Sequence, residues 1–222
     1  MRDLNRILAV LMSLFVTSML QAQTYEYPFQ NPELSDDERI DNLLSLMTLE
    51  EKIGQMTQIT STAIANGLEI TPAGDSIIRT YKVGSILNTP GGIAQTPEGY
   101  DKFVQEINRI TLEATGTPTL YGLDHIHGTS YVLGGTLFPQ EINLAASFNR
   151  THAYNMGMVT AYESRAANVP WTFSPTMDLG RNPEWPRMWE SFGEDTYVNA
   201  EMAVSEVKGM QGDDPNHVGP YN

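Results

Sequence analysis

The stretch FSPTMDLGRNPEWPRMWESFGED, residues 173 to 195, decides how the rest of this sequence is interpreted. It begins as a buried strand and continues as a long polar loop with two tryptophans, two arginines and several carboxyl groups. Loops of this length are usually functional or disordered, and so many stacking and hydrogen-bonding groups argue against a disordered linker. We therefore predict that the loop forms one wall of a site for a polar ligand that also has an apolar face.

The same order of a strand, a polar loop and a helix occurs earlier in the chain. We predict strands over Val83–Leu87, Pro118–Leu123 and Val169–Met177, each ending in polar or aromatic residues. Strands that alternate with helices indicate a parallel sheet, and in a (β/α) barrel the carboxyl ends of the strands carry the active site. Because only three strands are recognised against eight in a closed barrel, the predicted fold class is α/β, the incomplete N-terminal part of a (β/α)8 TIM-like barrel.

Local signals set the predicted helix boundaries. Two S/T-x-x-E capping boxes, at residues 35–38 and 48–51, open the first two helices, and Thr96-Pro97 opens a third that runs to about Ala114. Further helices are predicted over residues 140–146 and 151–167, and a last one is capped by Asp195 and stops near Gly212. Residues 23–34 are read as an extended arm, and residues 35–222 as a partial barrel domain.

The amino terminus has the pattern of a secretory signal peptide. Arg2 and Arg6 precede the apolar run 7–20, and small and polar residues follow at 21–23. The run is short for a transmembrane span, although an uncleaved anchor is the alternative. We expect residues 1–22 to be removed, which leaves no stable membrane anchor and a periplasmic or secreted protein.

Composition excludes several functions. The formal net charge of −14 argues against nucleic acid as a partner, because phosphates require a basic surface. The absence of cysteine rules out disulfides, thiol catalysis and thiolate metal sites. A small neutral or cationic molecule is the partner that fits, with no cofactor indicated.

The second predicted strand ends in GLDHIHG, residues 122–128. Asp124 is a strand-terminal carboxylate in a segment bounded by glycines, and it can approach a ligand closely and accept hydrogen bonds from its hydroxyl groups. His125 and His127 form an H-x-H pair that could bind zinc in a metal-dependent barrel hydrolase. The preferred interpretation is that His127 bonds to the backbone or to a carboxylate and orients the loop.

The long loop supplies donors and flat apolar faces. Arg181 and Arg187 can each donate two hydrogen bonds to adjacent hydroxyls or to a carboxylate, and Trp185 and Trp189 offer platforms for a sugar ring. The alternative is a structural network in which Glu190, Glu194 or Asp195 pairs with an arginine. Other aromatic residues are assigned to the core, namely Phe138, Phe148 and Trp171.

Four motifs taken together carry a family resemblance. They are LMTLEEKIGQM (46–56), GLDHIHG (122–128), TLFPQEINLAASFN (136–149) and the stretch 173–195. In this order they resemble the N-terminal barrel domain of glycoside hydrolase family 3. The sequence around GLDHIHG is most similar to exported bacterial β-glucosidases, including those that act on xyloglucan fragments.

The resemblance implies a retaining, exo-acting β-glucosidase that removes terminal non-reducing β-D-glucosyl residues from oligosaccharides such as those derived from xyloglucan or cellulose. It implies that Asp124 and Arg187 bind sugar hydroxyls, that Glu190 and Asp195 are mainly structural, and that no metal or cofactor is needed. Asn182 and Pro186 depart from the motif R-D-P-x-W-G-R, which is more common in the family.

The catalytic groups implied by the resemblance lie elsewhere. A retaining mechanism needs a nucleophile and an acid/base about 5–5.5 Å apart, and the family's positions for both are expected beyond Asn222. The 222-residue chain alone is therefore expected to be inactive. Two alternatives stay open, the metal-dependent hydrolase built on His125 and His127 and a non-catalytic sugar-binding half-barrel.

Overall fold

A computed structural model describes residues 25–212 of the chain. The predicted signal peptide, residues 1–22, lies outside the described residues. The chain divides into two compact units, residues 1–48 and 49–222, which are described separately below. None of the helices within residues 25–212 has the length and apolar character needed to cross a membrane.

The described part of the first unit is a short 3-10 turn followed by a helix. The turn spans Pro28–Gln30 and helix α1 spans Asp36–Leu46. The predicted capping box is confirmed, because the Glu38 backbone N–H donates to Ser35 Oγ at 3.3 Å and the Ser35 N–H donates to the Glu38 carboxylate at 3.0 Å. The 3-10 turn interrupts the segment that was predicted to be extended, and the Arg39 side chain holds it by donating to the Phe29 carbonyl at 2.9 Å.

The second unit alternates strands and helices. Its strands are β1 (Gln58–Thr60), β2 (Ala65–Asn66), β3 (Glu69–Ile70), β4 (Ser85–Leu87), β5 (Leu120–Leu123) and β6 (Trp171–Thr172). Its helices are α2 (Leu49–Gln55), α3 (Pro72–Tyr81), α4 (Pro97–Thr115), α5 (Glu141–Ala146), α6 (Arg150–Ala166) and α7 (Thr196–Gln211).

The main sheet is parallel and its strands follow chain order. Within the described residues it has the order β1-β4-β5-β6, with Ile59 opposite Ile86, Ile86 opposite Tyr121 and Gly122 opposite Trp171. Consecutive parallel strands joined by helices form the winding of a (β/α) barrel. The α/β fold class predicted from the sequence is therefore confirmed.

The strand predictions were less accurate than the helix predictions. Strand β1, the β2–β3 hairpin and helix α3 were missed, so the sheet gains a fourth parallel strand. Strand β1 has only three residues and a mixed polar pattern, which gives little period-2 signal. The third predicted strand shrinks from Val169–Met177 to the two residues of β6, because the hydrogen-bonded ladder ends before Ser174 and Pro175, which lacks the backbone N–H that a ladder uses.

The core of the second unit lies between the sheet and helix α4. Ile86, Tyr121 and Leu123 from the sheet pack with Phe103 and Ile107 from the helix. A smaller cluster joins α5, α6 and α7, and its buried members include Leu144, Met156, Phe192 and Met202.

Two aromatic residues assigned to the core are exposed instead. Phe148 is 80% exposed, because it follows the end of α5 with a left-handed φ of +49°. Trp171 is 36% exposed on β6, which lies at one end of the strand order. Phe138 does pack against the second cluster, as predicted.

Helices α6 and α7 approach closely through glycine. A Cβ atom added to Gly157 would lie 2.2 Å from the Glu206 carbonyl oxygen, and one added to Gly209 would lie 2.1 Å from the Tyr154 carbonyl oxygen. Real Cβ atoms do not tolerate such distances, so this contact requires glycine on both helices. It places the α7 backbone directly against α6.

Candidate functional site

A cavity of about 280 Å³ opens where the strands of the parallel sheet end. Ligand sites in α/β folds are commonly found at the carboxyl ends of the strands, and this volume lies near the lower limit of about 300 Å³ for small-molecule sites. The cavity is therefore of a size for one small ring. Its walls come from the segments after β1, β4 and β5 and consist of Thr62, Asn88, Thr89, Gly92, Leu123, Asp124 and Tyr131.

Two hydroxyl groups fix the turn after β4. Asn88 adopts a left-handed φ of +71°, and its carbonyl oxygen accepts hydrogen bonds from the Tyr121 hydroxyl and from Ser61 Oγ, the latter at 3.0 Å. Both donors are fully buried. Burial raises the pKa of Tyr121 above its usual range, so the phenol stays neutral and keeps the proton that it donates.

A second buried tyrosine fixes the opposite wall. The Tyr100 hydroxyl donates to the Tyr131 carbonyl at 3.1 Å, and the Tyr131 ring stacks on His125 at a centroid distance of 6.1 Å. The sequence reading assigned no role to Tyr100, Tyr121 or Ser61. Their hydrogen-bonding partners lie about 30 residues away along the chain, and no local pattern marks such contacts.

Asp124 is half-buried and lines the cavity directly after β5. Within residues 25–212 its carboxylate forms no hydrogen bond or ion pair, so its oxygens are available to a ligand. Burial raises the pKa of Asp124, the positive charge of Arg187 opposes this shift, and the negative charge of Glu190 adds to it. The structure therefore brings together Asp124, Arg187 and Glu190, which come from two separate motifs.

Arg187 is held by Glu190 and keeps free donors. Its Nε donates to Glu190 Oε2 at 2.8 Å, and its Nη2 donates to the same oxygen. The Glu190 side chain is only 9% exposed, whereas the Arg187 side chain is 60% exposed. Glu190 raises the pKa of Arg187, and Asp124 and Asp178 add smaller contributions. Neither bond uses Nη1, and within residues 25–212 no other hydrogen bond does, so Nη1 is available to donate to a ligand.

The other predicted loop residues shape the loop itself. Arg181 Nε donates to the Glu194 carbonyl at 3.3 Å, Trp189 Nε1 donates to the Pro186 carbonyl at 3.0 Å, and Asp195 accepts from the Val198 N–H at 2.9 Å as the cap of α7. None of the three lines the cavity. Asp195 is thus confirmed as a helix cap.

Of the two positions that depart from the more common family sequence, Asn182 makes contacts within its own turn. Asn182 Oδ1 accepts from the Glu184 N–H at 3.0 Å, and the Asn182 carbonyl accepts from the Trp185 N–H at 3.0 Å. An asparagine oxygen accepts such a bond as an aspartate oxygen does. The turn therefore keeps its side-chain acceptor in spite of the departure.

The two histidines of GLDHIHG point to different partners. His125 is fully buried, its Nδ1 lies 2.7 Å from Ser164 Oγ, and burial lowers its pKa to about 4. His127 Nδ1 donates to the Phe138 carbonyl at 3.0 Å, which confirms the predicted backbone contact. Within the described ranges, no three His, Cys, Asp or Glu side chains are grouped as a metal site would require. The geometry does not favour the metal-dependent alternative.

Comparison with known proteins identifies the family. The profile described as "Glycosyl hydrolase family 3 N terminal domain" matches residues 48–219. The chain belongs to glycoside hydrolase family 3. It is 38% identical over 198 residues to a lysosomal beta glucosidase of Dictyostelium discoideum, with 84% of this chain and 24% of that protein covered.

Two further family members extend the comparison. A periplasmic beta-glucosidase of Salmonella typhimurium is 34% identical, with 90% of this chain and 24% of that protein covered. The crystal structure of beta-glucosidase from Listeria innocua in complex with glucose superposes with a TM-score of 0.65 at 30% identity, covering 81% of this chain and 24% of that one. The chain therefore spans about a quarter of the length of these relatives, and residues 48–219 match the family's N-terminal domain.

Proposed function

We propose that this chain is the amino-terminal part of a retaining, exo-acting β-glucosidase that releases terminal β-D-glucose from oligosaccharides. The observation that carries the proposal is the cavity at the strand ends, which is lined by the unpaired carboxylate of Asp124 and lies within electrostatic reach of Arg187. Relatives named as beta-glucosidases support the same reaction class.

In this proposal Asp124 and Arg187 bind one glucose ring from two sides. The carboxylate accepts hydrogen bonds from ring hydroxyls, and the free Nη1 of the guanidinium donates to a neighbouring hydroxyl. Charge-assisted hydrogen bonds of this kind are about twice as strong as neutral ones. Glu190 keeps the guanidinium oriented by its two bonds from Arg187, so that less side-chain freedom is lost when the sugar binds.

The chemical groups of the reaction are assigned to residues beyond Asn222. A retaining mechanism uses two carboxyl groups about 5–5.5 Å apart, as nucleophile and acid/base. Glu190 is unsuited to either role because it is committed to Arg187, and Asp124 is assigned to binding. We also assign residues 1–22 to a signal peptide and the protein to the periplasm or the exterior of the cell. The periplasmic relative is consistent with this location.

Calorimetric titration of glucose into the protein expressed from its complete gene tests the binding role. Arg187→Ala is expected to weaken binding about 10- to 100-fold, because a hydrogen bond to a charged group contributes about 1.5–3 kcal/mol. Arg181→Ala is the matched control, since it removes an arginine of the same loop that donates to the Glu194 carbonyl and does not act on the charge of Asp124; its affinity should stay within about twofold of the parent, about 0.4 kcal/mol.

Arg187→Lys separates sugar binding from loop stability. Lysine keeps a positive charge near Glu190 but lacks the planar fork of donors, so this variant should melt near the wild-type temperature and still bind glucose weakly. Equal glucose affinities for Arg187→Ala, Arg181→Ala and the wild type would refute the assigned role of Arg187. Binding of glucose without turnover of 4-nitrophenyl β-D-glucoside by the complete gene product would favour a sugar-binding protein over an enzyme.

A further inference from the structure

Two fully buried glutamates from different helices meet one serine at the start of the long loop. Ser174 Oγ lies 2.6 Å from Glu206 Oε1 of α7 and 3.4 Å from Glu141 Oε1 of α5. The Thr176 backbone N–H also donates to Glu141 Oε1, at 3.1 Å. Both glutamates are 0% exposed. The cluster of Glu141, Glu206 and Ser174 thus joins α5, α7 and the loop that carries Arg187.

The second oxygen of each glutamate has no partner. Glu141 Oε2 and Glu206 Oε2 are buried and form no hydrogen bond within the described part of the chain. An ionised carboxylate with a desolvated and unbonded oxygen is strongly unfavourable, whereas a neutral carboxyl costs much less free energy to bury in the same surroundings. The geometry thus favours the uncharged form at both positions.

The surroundings supply no compensating positive charge. The groups whose charge acts on Glu141 are Glu206 on α7 and Glu190 on the 3-10 turn Met188–Glu190, and both are acidic. Burial and the hydrogen bond from Ser174 are the influences on the pKa of Glu206, so within the described residues no charged group offsets its desolvation. Within residues 25–212 neither carboxyl forms an ion pair. Burial raises the pKa of Glu141 to about 9 and that of Glu206 to about 8.

We propose that Glu141 and Glu206 are positioning residues that act in their uncharged form. By holding Ser174 and Thr176 they fix the first part of loop 173–195, and with it the segment that carries Arg187. The link to sugar binding rests on the proposed function, whereas the uncharged state of the cluster does not. When both carboxyls ionise in alkaline solution, two negative charges compete for one serine hydroxyl and the start of the loop is no longer held in place.

The first test measures thermal unfolding between pH 5 and pH 9 in the protein expressed from its complete gene. A glutamate whose pKa is higher in the folded state than in the unfolded state makes its full contribution to protein stability below the unfolded pKa of about 4.3. This contribution is lost as the pH rises towards the folded-state pKa. Glutamine is a neutral isostere of the protonated acid and has no such dependence.

The unfolding midpoints of Glu141→Gln and Glu206→Gln should therefore rise relative to the wild type with increasing pH, because each carboxyl with a raised pKa costs the wild type about tenfold in its folding equilibrium per pH unit. Glu184→Gln, which removes an exposed carboxyl of the same loop, is the control and should run parallel to the wild type. Glutamine variants that also run parallel to the wild type, or that lose stability at every pH, would overturn the proposal. If one glutamine variant fails to fold, the other gives the same reading.

The second test measures glucose affinity between pH 7 and pH 10. Wild-type affinity should fall about tenfold per pH unit above the pKa of the cluster, whereas the double variant Glu141→Gln/Glu206→Gln should keep its affinity over this range. A wild type and double variant with the same alkaline profile would refute the positioning role. If no protein in the series binds glucose, the proposed function fails, and the unfolding series still decides the charge state of the cluster.

Discussion

The turn after β4 gives a quantitative test of how the cavity is built. Its Asn88 carbonyl accepts hydrogen bonds from both the Tyr121 hydroxyl and Ser61 Oγ. Tyr121→Phe or Ser61→Ala removes one donor and leaves the other, so each single change should cost about 0.5–1.5 kcal/mol in the free energy of unfolding. For a protein of this size, 1 kcal/mol corresponds to about 2–4 °C in the unfolding midpoint.

The double variant tests whether the two donors act on one acceptor. With both hydroxyls removed, the Asn88 carbonyl loses both of its side-chain partners while it still faces two fully buried side chains, and an acceptor left without a partner in buried surroundings costs about 1–3 kcal/mol. We expect the double variant to lose more stability than the sum of the two single variants, by at least about 0.5 kcal/mol of coupling. Chemical denaturation of the four proteins measures this cycle.

The cavity itself should report the same coupling. Asn88 and Thr89 line the cavity, so a turn that is less fixed should bind glucose more weakly in the double variant than in either single variant. Tyr162→Phe is the control for loss of a tyrosine hydroxyl, because Tyr162 is 64% exposed. Additive stability losses with unchanged glucose affinity would refute the claim that these two hydroxyls shape the site.

Further predictions concern helix packing, the binding carboxylate and catalysis. Gly157→Ala should destabilise the protein by about 1–3 kcal/mol or more, because the new Cβ collides with backbone of α7; an unchanged denaturation midpoint would contradict the packing described. The unfolding midpoint of Asp124→Asn, measured relative to that of the wild type, should be higher at pH 7 than at pH 3, because a raised pKa means that the ionised carboxylate opposes folding. The same variant should bind glucose more weakly. A loss of stability at pH 7 would contradict that sign. The purified 222-residue chain should not hydrolyse 4-nitrophenyl β-D-glucoside above background, and turnover by this chain would place the catalytic groups within it.

Helix boundaries could be predicted because their signals are local. Ser35, Thr96 and Asp195 cap their helices through hydrogen bonds to residues three positions ahead. The strands were predicted less well because β1 and β6 contain three and two residues. Their pairing depends on neighbours that are distant in the sequence. Phe148 was assigned to the core by its hydrophobicity alone, which does not reveal a left-handed turn that directs it outward.

Part of the candidate site could be predicted where a motif places a side chain at the end of a strand. Asp124 was identified in this way, and the resemblance supplied Arg187, which the structure brings close to it. The supporting contacts could not be predicted. The contacts of Ser174 with Glu141 and Glu206 connect positions more than 30 residues apart, and no local pattern in the sequence indicates that these side chains meet. Such contacts depend on tertiary packing, which a single sequence does not specify.

A crystal structure of the complete gene product with bound glucose tests the central claim most directly. The proposed function predicts one glucose ring in the cavity at the ends of β1, β4 and β5, with hydroxyl groups within about 2.5–3.2 Å of the Asp124 carboxylate and of the Arg187 guanidinium. A well-ordered glucose bound elsewhere, or bound in this cavity with contacts to neither side chain, would contradict it.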